Sequence, residues 1–309
     1  MLRETLLTVS RNDRIKDLSL AMPVTRDVVR RFVAGEYVPD AVSATAELAA
    51  TGRLVTIDRL GEDVLEMADA RQTRDDYLEL LDALAANGLT ADAEVSVKLS
   101  AVGQALPGDG EKIALDFARD ICQRATEYGT TVTLDMEDHT TTDSTLGILR
   151  ELRHDFPATG GVIQAYLYRS EADCRDLAYE GSRIRLCKGA YKEPESVAYQ
   201  SKHEVDLAFV RCMKILMAGD GYPMIASHDP RLVDIAQSLA IHNDRPKGSY
   251  EHQMLYGVRP EEQLRLADQG EKMRVYIPYG QDWYGYMVRR MAEKPANLAL
   301  FMRSLSSKK

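Results

Sequence analysis

The segment QDWYGYMVRRMAEKP, near the end of the chain, combines residue types that recognise small anions. In a helix, four of its residues would share one face at i, i+3, i+4 and i+7: Tyr286, Arg289, Arg290 and Glu293. Two guanidinium groups present planar forks that match a carboxylate or a phosphate. Arg289 and Arg290 are therefore predicted to hold an anionic substrate. The alternative is a solvated basic stripe in which Glu293 pairs with Arg289.

Three cations lie in the middle of runs that otherwise resemble buried strands: Lys98 in EVSVKLS, and Arg185 and Lys188 in RIRLCKGA. A charge in such a run is costly unless it is paired. Asp135, which ends the following run, is the predicted partner of Lys98. Clustered charges of this kind favour a functional site. For any one of these residues, a structural ion pair is the alternative.

Eight short β-rich runs, separated by segments of helical period, would position these residues. The runs cover residues 54–58, 94–100, 131–136, 161–166, 183–190, 222–228, 250–256 and 273–280. Eight alternations predict an α/β fold, the closed (β/α)8 or TIM-type barrel. An open doubly wound sheet is the alternative, but its G-x-G-x-x-G turn does not follow the first run. Polar residues gather at the carboxyl ends of the runs, among them Asp58 and Ser227, where barrel enzymes place their chemistry, and the seventh run holds Gln253.

The helical segments at the two ends of the chain are predicted to cap this barrel. Segments 25–35 and 40–52 precede the first run, so residues 1–52 are interpreted as an N-terminal helical cap. Residues 53–309 would form the barrel, and residues 1–309 a single domain. The final helix follows the eighth run directly and would lie over the barrel mouth.

Charge and composition exclude several classes of protein. The formal net charge of -9 argues against a broad nucleic-acid-binding surface. Four cysteines without a C-x-x-C motif indicate free thiols in a reducing compartment. Apolar runs long enough to span a bilayer are missing, so a cytoplasmic protein is predicted, with peripheral contact at the inner face of the membrane left open. The six histidines form no compact metal-binding pattern, and no metal is predicted. The oligomeric state stays open.

Several segments together resemble the proline dehydrogenase family, in its monofunctional bacterial form. They are VSVKLS, LDMED, VIQAY, RLCKGAY, ASH, VYIPYG and YMVRRMAEKPAN, in this order between about residues 54 and 302. The resemblance implies an FAD-dependent barrel that oxidises L-proline to Δ1-pyrroline-5-carboxylate, the first step of proline catabolism. It also implies hydride transfer to flavin N5 and a quinone as the electron acceptor.

The resemblance carries roles onto individual positions. Proline binding falls on Lys98, Tyr276, Tyr286, Arg289 and Arg290, and flavin binding on Met136, Gln164, Arg185, Lys188, Gly189, Ala190, Ser227 and His228. Asp135, which would pair with Lys98, and Arg185, which would lie near flavin N5, are the predicted catalytic residues. Glu62 would gate the pocket by an ion pair with the first arginine of the pair. Two positions depart from the pattern: Asp229 stands where part of the family has Asn, and Cys187 is an unusual neighbour of Lys188.

Two other functions remain open from the sequence. A barrel lyase or aldolase would use Lys98 or Lys188 as a Schiff-base nucleophile. A non-catalytic sensor would bind a small anionic metabolite without transforming it.

Overall fold

Eight parallel strands close into a barrel in the computed structural model, which describes residues 29–287. The strands are β1 (Leu54–Arg59), β2 (Ala93–Val97), β3 (Val132–Leu134), β4 (Gly160–Gln164), β5 (Arg183–Cys187), β6 (Tyr222–Ala226), β7 (Glu251–Leu255) and β8 (Met273–Tyr279). Each strand pairs with its neighbours in sequence, and β8 closes the barrel against β1, with Thr56 opposite Tyr276. The predicted barrel is therefore confirmed, and each predicted run contains one strand or most of it.

Helices alternate with the strands, as the right-handed crossovers between parallel strands require. They are α1 (Val38–Ala49), α2 (Met67–Ala86), α3 (Gly110–Glu127), α4 (Thr142–Asp155), α5 (Ser170–Leu177), α6 (Lys202–Ala218), α7 (Pro230–His242) and α8 (Pro260–Asp268). Short 3-10 turns follow β2 (Leu99–Val102) and β3 (His139–Thr141), and residues 283–287 after β8 are helical. Among residues 29–287, no helix is both long and apolar enough to cross a bilayer.

The main hydrophobic core lies between the barrel and its helices. In α2, Tyr77, Leu80, Leu81 and Leu84 recur at helical spacing and are fully buried. The hydroxyl of Tyr77 donates to the carbonyl oxygen of Ser96 at 2.7 Å. This bond ties α2 to β2 and leaves no buried hydroxyl unsatisfied at that point.

The segment before the barrel packs at the carboxyl end of β8. Helix α1 matches the predicted segment 40–52. Of the predicted segment 25–35, the structure describes residues 29–35, which are helical at residues 29–30 and then turn. The amide of Ala34 donates to the carbonyl of Pro278 at 3.0 Å. Phe32 and Val33 pack with Trp283 and Met287 in a separate hydrophobic cluster. The start of the described chain therefore supports the element that follows β8.

The barrel interior holds a buried layer of charges near the amino ends of its strands. Arg183 pairs with Glu94 at 2.5 Å, and Arg274 pairs with Glu251 at 2.7 Å. Burial alone would raise the pKa of Glu94, but Arg183, Arg274 and Arg185 together hold it well below its usual range. Glu94 is therefore ionised in the folded protein. Breaking such a pair by removing one partner costs far more than a surface ion pair.

Candidate active site

A cavity of about 460 Å³ opens at the carboxyl ends of the strands. It lies within the size range of small-molecule and cofactor sites. Thirteen of the fifteen residues predicted from the sequence line it: Glu62, Lys98, Asp135, Met136, Gln164, Arg185, Lys188, Gly189, Ala190, Ser227, His228, Tyr276 and Tyr286. Arg289 and Arg290, the other two, lie outside the described residues. Positions spread over more than two hundred residues of sequence therefore meet at one site.

Lys98 and Asp58 form a buried ion pair in the cavity wall. The Nζ atom of Lys98 donates to both carboxylate oxygens of Asp58 at 2.7 Å, and it lies 3.9 Å from Oδ2 of Asp135. The predicted contact between Lys98 and Asp135 exists, but Asp58 is the nearer partner. Sequence reasoning placed Asp58 at a strand end without giving it a role.

The charges of this pair shape each other's titration. Burial raises the pKa of Asp58 to about 6, an effect that Lys98 opposes and Asp135 reinforces. Burial alone would lower the pKa of Lys98, but the charges of Asp58, Asp135 and Glu62 raise it above its ordinary value. Lys98 therefore stays a cation at neutral pH.

Asp135 instead makes its short contacts with Arg185 and Tyr276. Its Oδ1 accepts from Nη1 of Arg185 at 2.6 Å and from the Ser96 hydroxyl at 2.8 Å. Its Oδ2 accepts from the hydroxyl of Tyr276 at 2.6 Å. Burial and then the charge of Asp135 raise the pKa of Tyr276 well above its ordinary value, so its hydroxyl remains a donor. The Arg185 guanidinium lies 5.2 Å from the centre of the Tyr276 ring, within cation–π range.

Gln253 completes the contacts of Arg185 from β7. Its side-chain oxygen accepts from Nε of Arg185 at 2.6 Å. Gln253 lines the cavity and is buried. Its place within a strand was visible in the sequence, but its partner depends on how β5 and β7, which are separated by β6, are arranged around the barrel.

The end of β5 brings main chain against an aromatic wall. A Cβ atom on Gly189 would overlap the ring of Tyr166, and the Gly189 φ of +112° is one that other residues rarely adopt. Glycine is therefore required there. The side-chain amide nitrogen of Gln164, Nε2, donates to the main-chain carbonyl of Glu137 at 2.7 Å, which fixes the neighbouring part of the wall.

Lys188 lies at the rim, between two carboxylates. It forms ion pairs with Asp206 of α6 and, at 4.0 Å, with Asp229. Asp229 caps α7 by accepting from the amide of Arg231 at 3.1 Å. The Arg231 guanidinium holds the pKa of Asp229 at about 2. The departure from Asn at this position therefore still gives a capping residue, and adds a charge near Lys188.

Two further wall residues have defined hydrogen-bonding states. The amide of Leu255 donates to Nε2 of His228 at 2.9 Å, so the neutral ring carries its proton on Nδ1. Burial raises the pKa of the Cys187 thiol to about 11, so this second departure from the family pattern is a neutral group.

The far side of the cavity is closed by the helical turn after β8. Tyr286 is buried and lines the cavity from above β8, while Glu62 lines it from the segment after β1. Tyr286 packs with Leu60 and Trp283 in the same cluster that holds Phe32. The two predicted residues thus meet at one rim. The predicted partner of Glu62 is Arg289, which lies outside the described residues.

Charged and polar groups that converge on a cavity at the strand carboxyl ends define a (β/α)8-barrel enzyme. Residues 29–287 bring together no group of three or more His, Cys, Asp or Glu side chains suited to a metal ion.

Comparison with known proteins identifies the family. The model of the family described as proline dehydrogenase matches residues 41–303. Proline dehydrogenase 1 of Bacillus subtilis (strain 168) is 38% identical over 308 residues, which cover 100% of both chains. Proline dehydrogenase of Deinococcus radiodurans is 39% identical over 305 residues, covering 98% of this chain and 97% of the relative. The chain belongs to the proline dehydrogenase family.

A solved structure agrees with this membership. The barrel resembles part of proline utilization A from Bdellovibrio bacteriovorus inactivated by N-propargylglycine, with a TM-score of 0.81 and 27% identity. The match covers 92% of this chain and 34% of that one, so the chain spans about a third of the solved protein.

Proposed function

We propose that this enzyme oxidises L-proline to Δ1-pyrroline-5-carboxylate with FAD as the hydride acceptor, the first step of proline catabolism. The observation that carries the proposal is the meeting of thirteen predicted site residues in one cavity of a family member. Full-length similarity to the proline dehydrogenases of Bacillus and Deinococcus supports it. A quinone is the proposed electron acceptor, which would require a cytoplasmic enzyme to make peripheral contact with the inner face of the membrane.

Proline would be held through its carboxylate and its ring. Lys98 supplies a fixed cation, because its ion pair with Asp58 keeps it charged. Tyr276 and Tyr286 line the cavity and would contact the apolar ring. Arg289 and Arg290, three and four residues after Tyr286 in the sequence, are proposed to clamp the carboxylate.

The cavity walls fit FAD by the chemistry of their donors. Lys188 offers a cation at the rim, and the main chain at Gly189 and Ala190 offers amides beside it, a combination suited to phosphate groups. Met136, Gln164, Ser227 and His228 line the remaining wall, where Nδ1–H of the neutral His228 is a donor. FAD, when bound, supplies a two-electron acceptor for the hydride.

Asp135 and Arg185 are the proposed catalytic residues. Three residues hold the Arg185 guanidinium, Asp135 and Ser96 at Nη1 and Gln253 at Nε, so its charge stays at a fixed point of the cavity floor. Positive charge there favours the neutral form of the substrate nitrogen, which must lose its proton before a hydride can leave the adjacent carbon. Glu62 is the proposed gate, through an ion pair with Arg289.

A Schiff-base lyase is the less favoured alternative. A nucleophilic lysine must lose its proton, and burial in an apolar pocket or a neighbouring cation normally assists this. Lys98 instead has Asp58 and Asp135 beside it, and its pKa is raised. Lys188 is likewise paired with Asp206.

The absorbance spectrum of the purified protein tests the proposal. We expect it to bind FAD, and the flavin absorbance to bleach when L-proline is added without oxygen. Pyrrolidine, which lacks the carboxylate, is the matched control and should bleach the flavin far more slowly. Failure to take up FAD, or a flavin that stays oxidised with proline, would contradict the proposal.

The arginine pair should control substrate affinity. Arg289→Met and Arg290→Met should each raise KM for proline about 10- to 100-fold, because a charged hydrogen bond to the carboxylate is lost. Flavin content should stay close to that of the unchanged protein. Arg265→Met serves as the control, since Arg265 pairs with Glu262 on the surface of α8. Loss of flavin with an unchanged KM would show that the helix has a structural role instead.

A further inference from the structure

The floor of the cavity is connected to the buried charge layer by two residues of β7. The oxygen of the Gln253 amide accepts from Nε of Arg185 at 2.6 Å. The nitrogen of the same amide donates to Oε1 of Glu251 at 2.6 Å. Glu251 and Gln253 are two residues apart on one strand, so both side chains point into the barrel.

These two contacts allow only one orientation of the Gln253 amide. A carboxylate can only accept, and the Nε–H of arginine can only donate. If the amide were flipped, its NH₂ would face Arg185 and its oxygen would face Glu251, and two buried hydrogen bonds would become repulsive contacts. The carboxylate of Glu251 therefore determines which end of the amide Arg185 meets.

Glu251 is itself held on both oxygens. Oε1 also accepts from Nε of Arg274 on β8 at 2.7 Å, and Oε2 accepts from the hydroxyl of Tyr222 on β6 at 3.0 Å. The side chain of Glu251 is fully buried, and it is not among the residues of 29–287 that line the cavity. Its hydrogen bond with Gln253 is a direct contact with a residue that lines the cavity.

The chain of contacts continues from Arg185 to the cavity. With Nε fixed by Gln253, Nη1 of Arg185 reaches Oδ1 of Asp135 at 2.6 Å. The other oxygen of Asp135 accepts from Tyr276. A change in the direction of the Gln253 amide would therefore turn the Arg185 guanidinium. Asp135 and Tyr276, both of which we assign to the site, would then lose the contacts that hold them in place.

We propose that Glu251 is a positioning residue for the reaction. It fixes the Gln253 amide, and the amide in turn fixes the Arg185 guanidinium against Asp135 and Tyr276. The effect on turnover rests on the proposed function, whereas the fixed direction of the amide is independent of that function.

Replacement of Glu251 by glutamine separates positioning from simple support. A glutamine side chain at this position can present either an oxygen or an NH₂ group, so the orientation of Gln253 is no longer dictated. We expect Glu251→Gln to lower kcat about 10- to 100-fold, as small displacements of catalytic groups do, with little change in KM for proline. Tyr222→Phe is the matched control, because it removes one hydrogen bond from Glu251 without touching the amide, and kcat should stay unchanged. Equal loss of kcat in the two variants would overturn the inference.

A double-mutant cycle tests whether Glu251 acts through Gln253. In a Gln253→Met background the amide is gone, so Glu251→Gln should cause no further fall in kcat. A general weakening of the barrel would instead multiply the two losses. Multiplicative losses would therefore contradict the proposal.

A spectroscopic measurement checks the geometry without turnover or flavin. In protein labelled with ¹⁵N-arginine, the Nε–H resonance of Arg185 is assigned by its loss in Arg185→Lys. We expect this proton to exchange slowly in the unchanged protein and in Tyr222→Phe, and fast in Glu251→Gln. Unchanged exchange in Glu251→Gln would overturn the inference even if proline reduces the flavin. If proline fails to reduce the flavin while exchange behaves as expected, the proposed function fails and the positioning role of Glu251 remains.

Discussion

Replacing Lys98 by methionine should lower the free energy of unfolding by about 3–5 kcal/mol at neutral pH, as the loss of one partner of a buried ion pair does. It should also abolish measurable oxidation of proline. The methionine side chain fills most of the same space, so a cavity is not the cause. The cause is Asp58, which is almost fully buried and would lose the cation that contacts both of its oxygens. Urea denaturation gives the first quantity, and a dye-coupled assay gives the second.

The loss of stability in Lys98→Met should depend on pH. The pKa of Asp58 is raised to about 6 in the folded protein, above its ordinary value of 3.8. A raised folded-state pKa contributes stability that is fully present below the unfolded value and is lost as pH rises through the folded value. Without Lys98 the pKa of Asp58 should rise further. The cost of Lys98→Met should therefore be smaller at pH 5 than at pH 8.

A double variant separates stability from function at this pair. Asp58→Asn together with Lys98→Met removes both buried charges, and its stability should lie within about 1 kcal/mol of the unchanged protein. Its activity should stay lost, because the cation that we assign to proline binding is still missing. Recovery of activity together with stability would show that Lys98 supports the fold and does not bind the substrate.

The barrel could be predicted from the sequence because strand periodicity and strand number are local properties. The ends of the strands could not be predicted, since the residues that line the cavity continue several of the runs past the point where the strand stops. The run predicted over 183–190 contains β5 only as far as Cys187, and Lys188, Gly189 and Ala190 belong to the loop that lines the cavity. The run 131–136 contains β3 only as Val132–Leu134, although the amide of Asp135 still donates to the carbonyl of Val97 at 2.9 Å.

The membership of the site could also be predicted, but the pairing within it could not. Strand ends and the family resemblance select residues one at a time. Which partner each residue takes depends on the register between strands, and Asp58 stands beside Ser96 because β1 and β2 align there. Lys98 therefore meets Asp58 first, and Asp135 is left to pair with Arg185 from β5, two strands further around the barrel. Sequence patterns contain no information on that alignment.

Buried charges in this protein form two connected groups with different expected roles. Below, Arg183 and Arg274 hold Glu94 and Glu251 at the amino ends of the strands. Above, Lys98 and Arg185 hold Asp58 and Asp135 at the cavity. Arg185 belongs to both groups, because its Nη2 lies 3.7 Å from Glu94 and its Nη1 binds Asp135. Removing it should therefore affect stability and catalysis together, and a control is needed to separate them.

Arg183 supplies that control for Arg185→Met. The two arginines lie two residues apart on β5, face the same way, and both pair with Glu94. Of these two arginines, only Arg185 lines the cavity. Each substitution by methionine should lower the free energy of unfolding by about 3–5 kcal/mol, because each leaves a buried carboxylate with one cation fewer.

Catalysis should distinguish the two variants. Arg185→Met should lower kcat about 100- to 1000-fold, the usual cost of removing a preorganised charge at the reacting atoms, while Arg183→Met should leave kcat nearly unchanged. Rates of flavin reduction by proline in stopped flow, measured at a temperature where both variants are fully folded, give the comparison. A similar fall in the two variants would mean that Arg185 acts only through the stability of the barrel. A fall confined to Arg185→Met would leave its charge at the cavity floor as the cause, because the two arginines share a strand, a direction and the carboxylate of Glu94.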